Sequence, residues 1–127
     1  MTVVIDASAV LAALTEPGSR GAAASMTVAM SELIAPHLLD IEVTHALRRH
    51  DRSDSNAASE ALEEYSSMTI RRFDHRSLVP RIWDLRHNLT AYDAAYVALA
   101  EATETPLLTL DRRIANAPGH QAEVIVL

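Results

Sequence analysis

Four carboxylates stand where the pattern of the chain would bring acids to one place. Asp6 closes a β-branched run, residues 2–6 (TVVID), and Asp111 follows a second short run, residues 107–110 (LLTL). If both runs are strands, both acids lie at strand ends. Glu42 belongs to a helical stretch over residues 37–50. Stepping about 100° per residue from Leu38, Leu38, Leu39, Val43, Ala46 and Leu47 cover one arc. Glu42 falls inside that arc and Asp40 lies on its far margin. Asp93 opens AYDAAYVALA, a segment apolar nearly all round and therefore suited to the centre of a fold. A carboxylate on a buried stripe needs a partner or gives up its charge. Four gathered together repel strongly unless a divalent cation neutralises them, and all-oxygen ligation suits magnesium or manganese.

Each acid also has a local explanation. Asp6 can cap the helix that follows it, and Asp111 the helix beginning at Arg112. Thr90 and Asp93 fit a capping box, and Glu42 could pair with an arginine. Capping leaves Glu42 unexplained, however, and does not require four acids to share one rim.

What the chain lacks narrows the chemistry. With no cysteine, disulfides, thiolate zinc sites and thiol nucleophiles are excluded. All eleven basic residues are arginine, which removes Schiff-base chemistry and lysine-dependent phosphate sites. The six histidines show no ligand spacing around the acids. A net charge of −6 argues against holding nucleic acid by bulk electrostatics, but not against meeting a polyanion through metal ions and a local arginine patch. No apolar run reaches membrane length and the amino terminus lacks a signal-peptide pattern, so a cytoplasmic protein is expected.

The elements that must position these acids follow from periodicity. Strands are expected at residues 2–6, 32–36, 68–73, 107–110 and 123–127. Helices are expected at residues 8–15, 21–30, 37–50, 53–65, 75–87 (with Pro80 near its first turn), 92–103 and 112–117. Five short strands alternating with helices imply an α/β fold, a parallel sheet covered on both faces. At 127 residues this is one domain, residues 1–127. Ligands of such sheets bind beyond the carboxyl ends of the strands, where strand order reverses.

The stretches VVIDASAVLAAL, PHLLDIEVTHALRR and LTAYDAAYVALAEATETPLLTLDRRI, with acids in the order Asp6, Glu42, Asp93, Asp111, resemble a PIN-domain ribonuclease. More narrowly, they are similar to the VapC-type toxins of type II toxin–antitoxin modules. The resemblance spans essentially the whole chain; residues 18–30 and 51–86 carry little of it. It implies a three-layer fold with a five-stranded parallel sheet of order 3-2-1-4-5, a Mg2+-dependent endoribonuclease, a homodimer and a cognate VapB-type antitoxin. The family's acids fall on Asp6, Glu42, Asp93 and Asp111, with Ser8 and Thr109 as hydroxyls beside them.

On that reading, one or two magnesium ions would activate water and stabilise charge on an RNA phosphodiester. Asp6 and Asp93 are the first-choice direct ligands. Glu42 and Asp111 would ligate a second ion, hold coordinated water or help deprotonate it. Ser8 and Thr109 would orient carboxylates, or equally bond to nearby backbone. Of three arginine clusters, only Arg112 and Arg113 lie beside the acids as candidate RNA contacts; the others read as solvated faces. Met26 and Met30 read as core, with the early helices also candidates for antitoxin binding. A receiver-type signalling domain would need a late lysine, and a dehalogenase-like phosphatase would need a second aspartate at Ser8. A non-catalytic PIN-like binding module is the remaining alternative.

Overall fold

The β-branched run at the start of the chain has no polar face, and it sits where such a strand is stable, in the middle of a parallel sheet. A computed structural model describes residues 1–127. The order is β1 (Thr2–Ile5), α1 (Ala7–Thr15), α2 (Gly18–Ala29), β2 (Glu32–Pro36), α3 (Leu38–Ser53), α4 (Ser55–Ser67) and β3 (Ile70–Phe73). A 3-10 turn (Arg76–Leu78), α5 (Val79–Asp84), α6 (Ala91–Thr103), β4 (Leu107–Thr109), α7 (Arg112–Asn116) and β5 (Val124–Val126) follow. All strands are parallel and the sheet order is β3-β2-β1-β4-β5, as the resemblance implied.

Strand order reverses at β1. Val4 pairs with Ile34 on one flank and Leu107 on the other, and the crevice beyond β1 and β4 is the switch point at which this architecture binds ligands. Val3, Val4, Ile5, Leu107 and Leu108 are completely buried beneath the helices. α6 lies against β1, β2 and β4, while α1, α3 and α4 pack on one another. Seven consecutive residues of α6, Ala94–Ala100, are buried, and the four alanines among them let the helix sit close to the sheet. α3 is anchored by Leu39, Val43 and Leu47. Truncating one of these to alanine would cost about 2–5 kcal/mol. Gly21 permits the tight α1–α2 corner: a Cβ there would stand 1.7 Å from the Glu16 carbonyl oxygen.

Two expectations are corrected. Residues 75–87 do not form one helix. The chain makes a 3-10 turn, then a short helix with Pro80 in its first turn, and ends it at Leu85, whose buried side chain draws the backbone inward. Met26 and Met30 are not core: they are 65% and 76% exposed, because α2 buries only Gly21 and Ala24. The remaining elements form where expected, with ends shifted by up to three residues.

Candidate functional site

Asp6, Glu42, Asp93 and Asp111 line one small cleft of about 160 Å³, together with Ala7, Ser8, Tyr96 and Ile114. Asp6 is supplied by the β1–α1 junction, Glu42 by the second turn of α3, Asp93 by the first turn of α6 and Asp111 by the β4–α7 junction. All four lie at the carboxyl edge of the sheet because α1, α3 and α6 all begin there. No three of the four converge tightly enough to form a ready-made ligand cluster. Their sequence separation makes the shared cleft a product of the fold.

Asp6 is buried and held from three sides. The Ser8 hydroxyl donates to Oδ1 at 2.6 Å, the Ala9 N–H to Oδ1 at 3.0 Å and the Thr109 hydroxyl to Oδ2 at 2.5 Å. Ser8 Oγ in turn accepts the Leu110 N–H, and Thr109 Oγ1 accepts the Asp111 N–H, each at 3.0 Å. Each hydroxyl therefore orients the carboxylate and bonds to backbone at once, so the two alternatives for Ser8 and Thr109 are both realised. Burial pushes the Asp6 pKa up and Asp93 adds to this, while the three hydrogen bonds pull the other way.

Glu42 has no arginine. Its Oε1 accepts the Tyr96 hydroxyl at 2.6 Å, and no hydrogen bond engages Oε2. Burial raises its pKa, Tyr96 lowers it, and Asp93 and Asp6 raise it again. The Tyr96 pKa is itself driven upward by burial and then by Glu42, so this phenol stays a proton donor at every ordinary pH. Sequence reading passed over Tyr96. The available signal was a single hydroxyl on an apolar helix, three residues after Asp93 and so on the same face.

Asp93 is half-buried and the least restrained of the four. Thr90 caps α6 by accepting the Asp93 N–H at 3.2 Å, but the return half of a capping box does not form. Burial raises the Asp93 pKa and Asp111 raises it further, against smaller opposing effects of Thr90 and Arg113. Asp111 behaves differently. It caps α7 by accepting the Arg113 N–H at 2.9 Å, and the Arg113 guanidinium grips its carboxylate at 2.8 and 3.1 Å. That fork holds the Asp111 pKa below the usual range. Arg112 and Arg113 are both exposed on the rim.

Asp40, on the margin of the α3 arc, is turned out of the cleft. Arg72 grips it at 2.7 and 2.9 Å, and the Tyr65 hydroxyl donates to it at 2.5 Å. The arginine thus pairs with Asp40 rather than Glu42, and Arg72 is a structural cation rather than a solvated face.

Residues 3–119 match the PIN domain family. The chain is 45% identical over 125 residues to Ribonuclease VapC1 of Mycobacterium tuberculosis, covering 95% of this chain and 94% of that protein. It is 39% identical over 128 residues to VapC ribonuclease Mb0985 of Mycobacterium bovis, covering 98% of each. Among solved structures, VapBC2 from Rickettsia felis, crystallised on a DNA fragment from its promoter, superposes with a TM-score of 0.70 at 13% identity over 98% of each chain. PAE2754 from Pyrobaculum aerophilum superposes with a TM-score of 0.64 at 23% identity, over 96% of this chain and 92% of that one. These two likenesses speak to the fold.

Proposed function

The chain belongs to the PIN-domain family and, within it, to the VapC ribonucleases, and from that premise we propose that it is a Mg2+-dependent endoribonuclease that hydrolyses RNA phosphodiester bonds at the four-carboxylate cleft. The carrying observation is that Asp6, Glu42 and Asp93 share a cleft with no cation paired to any of them, and that all three have raised pKa values. Acids that burial and mutual repulsion hold in this state fit a divalent cation, and their all-oxygen donor set suits magnesium or manganese. Asp6 and Asp93 would hold the ion, with Glu42 and Asp111 on a second ion or on ordered water. When bound, such a cation offsets charge building on the phosphoryl oxygens and eases deprotonation of the attacking water.

The chain's own side chains supply the rest. Ser8, Thr109 and Ala9 N–H fix the direction of the Asp6 carboxylate. Tyr96 secures one oxygen of Glu42 and leaves Oε2 to accept a proton from water. Arg112 and Arg113 stand on the rim where phosphates flanking the scissile one would pass. For Arg113 this requires releasing Asp111.

As the toxic half of a type II toxin–antitoxin pair, the protein would act in the cytoplasm as a homodimer and be restrained by a VapB-type antitoxin. An acidic cleft and a net charge of −6 favour a partner that presents arginine. A non-catalytic PIN-like module is the second reading, favoured by the Arg113 fork that already neutralises Asp111. Incubating total RNA with the protein in magnesium, and again in chelator, decides between them. Cleavage in magnesium that chelator stops supports the nuclease. No cleavage by wild type under either condition, with unchanged growth on expression alone, favours the module.

A further inference from the structure

Beside the acidic cleft runs a larger groove of about 620 Å³, and the proposed function leaves it without a role. Its walls are the first turns of α1 (Ala7, Ser8, Leu11), one stripe of α3 (Leu38, Ile41, Glu42, His45, Ala46, Arg49) and Tyr92 at the start of α6. The stripe follows helical spacing, so Leu38 and Arg49 stand about 16 Å apart along one face of α3. The lining is mostly apolar, and its volume lies in the range of small-molecule and cofactor sites.

Two lining residues are far more exposed than their chemistry favours. Ile41 is 69% exposed and Tyr92 60%, although both have apolar neighbours within the groove. Arg49, at the far end, is paired with no carboxylate. Ser8 and Glu42 line this groove and the acidic cleft alike. A molecule attached to a phosphate in the cleft would therefore be led directly into the groove.

We propose that this groove is the subsite for the nucleoside next to the scissile phosphate, its base stacked on Tyr92 and against Ile41, and the following phosphate met by Arg49. The inference rests on the nuclease reading. A nucleobase suits the site because every base has a flat π-face that an exposed tyrosine ring can stack upon, whatever its sequence. The free guanidinium complements the backbone charge that a base brings with it and that an apolar peptide would not. Along α3, Leu38 and Ile41 lie just before Glu42 and Arg49 stands about 10 Å beyond it, so a base beside the cleft would be followed by a phosphate that passes towards the cation.

The test uses the full-length chain carrying Tyr92→Ala, Tyr92→Phe, Ile41→Ala or Arg49→Gln. Both exposed positions tolerate truncation with little loss of core. Cleavage sites are mapped on a pool of single-stranded oligoribonucleotides. Binding of one such RNA is followed by fluorescence anisotropy across a salt series. Tyr92→Ala is expected to lower kcat/KM about five- to hundred-fold, chiefly through KM, and to shift which bonds are cut. Tyr92→Phe should restore both, and Ile41→Ala should weaken binding in the same direction. Arg49→Gln should weaken all sequences alike and reduce the salt slope by about one.

An unchanged cleavage pattern and kcat/KM in Tyr92→Ala, beside an active wild type, overturns the subsite and leaves the nuclease reading intact. If no RNA is cut by wild type, the nuclease reading fails first, and equal RNA affinity of wild type and Tyr92→Ala then overturns the subsite separately. Two further results would also overturn it. In one, Tyr92→Ala changes only sedimentation, so that a second copy covers the groove. In the other it abolishes only binding of a VapB-type antitoxin, so that a partner peptide does.

Discussion

Asp40 and Glu42 sit two residues apart on α3 and have opposite surroundings. Asp40 is forked by Arg72, receives the Tyr65 hydroxyl, and has its pKa lowered chiefly by Arg72. Glu42 receives one neutral phenol, faces Asp93 and Asp6, and has its pKa raised. Arg72 and Tyr65 respond in kind, the arginine pKa rising and the tyrosine being pushed up to about 12 by burial and then by Asp40. The first cluster is neutral and complete: it fastens α3 to α4 and to the sheet edge. The second is unbalanced and open. A helical half-turn of 200° separates the two, enough to make one acid a fastener and leave the other without a counter-charge.

The largest effect expected is on the open cluster. Asp6→Asn or Asp93→Asn should lower RNA cleavage by at least about 10²-fold while the fold survives, since Asn keeps the shape and the Asp6 cap. Calorimetry with manganese should show binding lost in both, and unchanged affinity would place the cation elsewhere. In the closed cluster, Arg72→Gln should cost about 1 kcal/mol in a urea titration, a figure kept small because both groups are partly exposed and solvent-screened. Cleavage should stay at the wild-type level. A loss as deep as that of Asp6→Asn would erase the distinction between the clusters.

Acidity separates them further. Asp93 has a folded-state pKa above its unfolded value of 3.8, so its carboxylate destabilises the fold fully at pH 7 and ceases to as pH falls below the unfolded value. Asp93→Asn should therefore raise Tm at pH 7 and leave it nearly unchanged near about pH 3. The sign for Asp40 is the reverse: its folded-state pKa is depressed, so its stabilisation is present above 3.8 and is lost as pH falls through the folded-state value. Thermal melts of Asp93→Asn and Asp40→Asn across this window should diverge in opposite directions. The smallest effect expected is from Arg113→Ala, which frees the one cleft acid that has a counter-ion. Manganese affinity should rise modestly while kcat/KM on RNA falls, and a fall in both would make Arg113 a fastener like Arg72.

Asp6 and Asp111 were legible because each follows an apolar run that reads as a strand, and a parallel sheet aligns strand ends. Glu42 was legible because its polar side chain interrupts the arc of Leu39, Val43 and Leu47. Asp93 stood out as an acid at the start of an apolar helix. The partners of these acids were not legible. Tyr96 meets Glu42 across 54 residues and Arg72 meets Asp40 across 32, and neither pairing leaves a periodicity. The break at Leu85 was hidden because local propensity favours helix through residue 87, whereas tertiary burial of one leucine decides otherwise. The exposure of Met26 and Met30 depends on how α2 is rolled against α1, which composition does not encode.

The bonds from Thr109 to Asp6 and between the Ser8 and Thr109 hydroxyls join residues 103 and 101 positions apart, and β1 has no neighbour on that flank until β4 arrives. Contacts of such separation form late, after the cost of closing a long loop has been met. On the ribosome the delay is longer still. Asp6, Glu42 and Asp93 leave the exit tunnel before Thr109, the last of the three groups that orient Asp6, and before Asp111, so the growing chain carries three acids and no assembled cleft. The four-carboxylate cleft is thus completed only after β4 has been made and has left the ribosome.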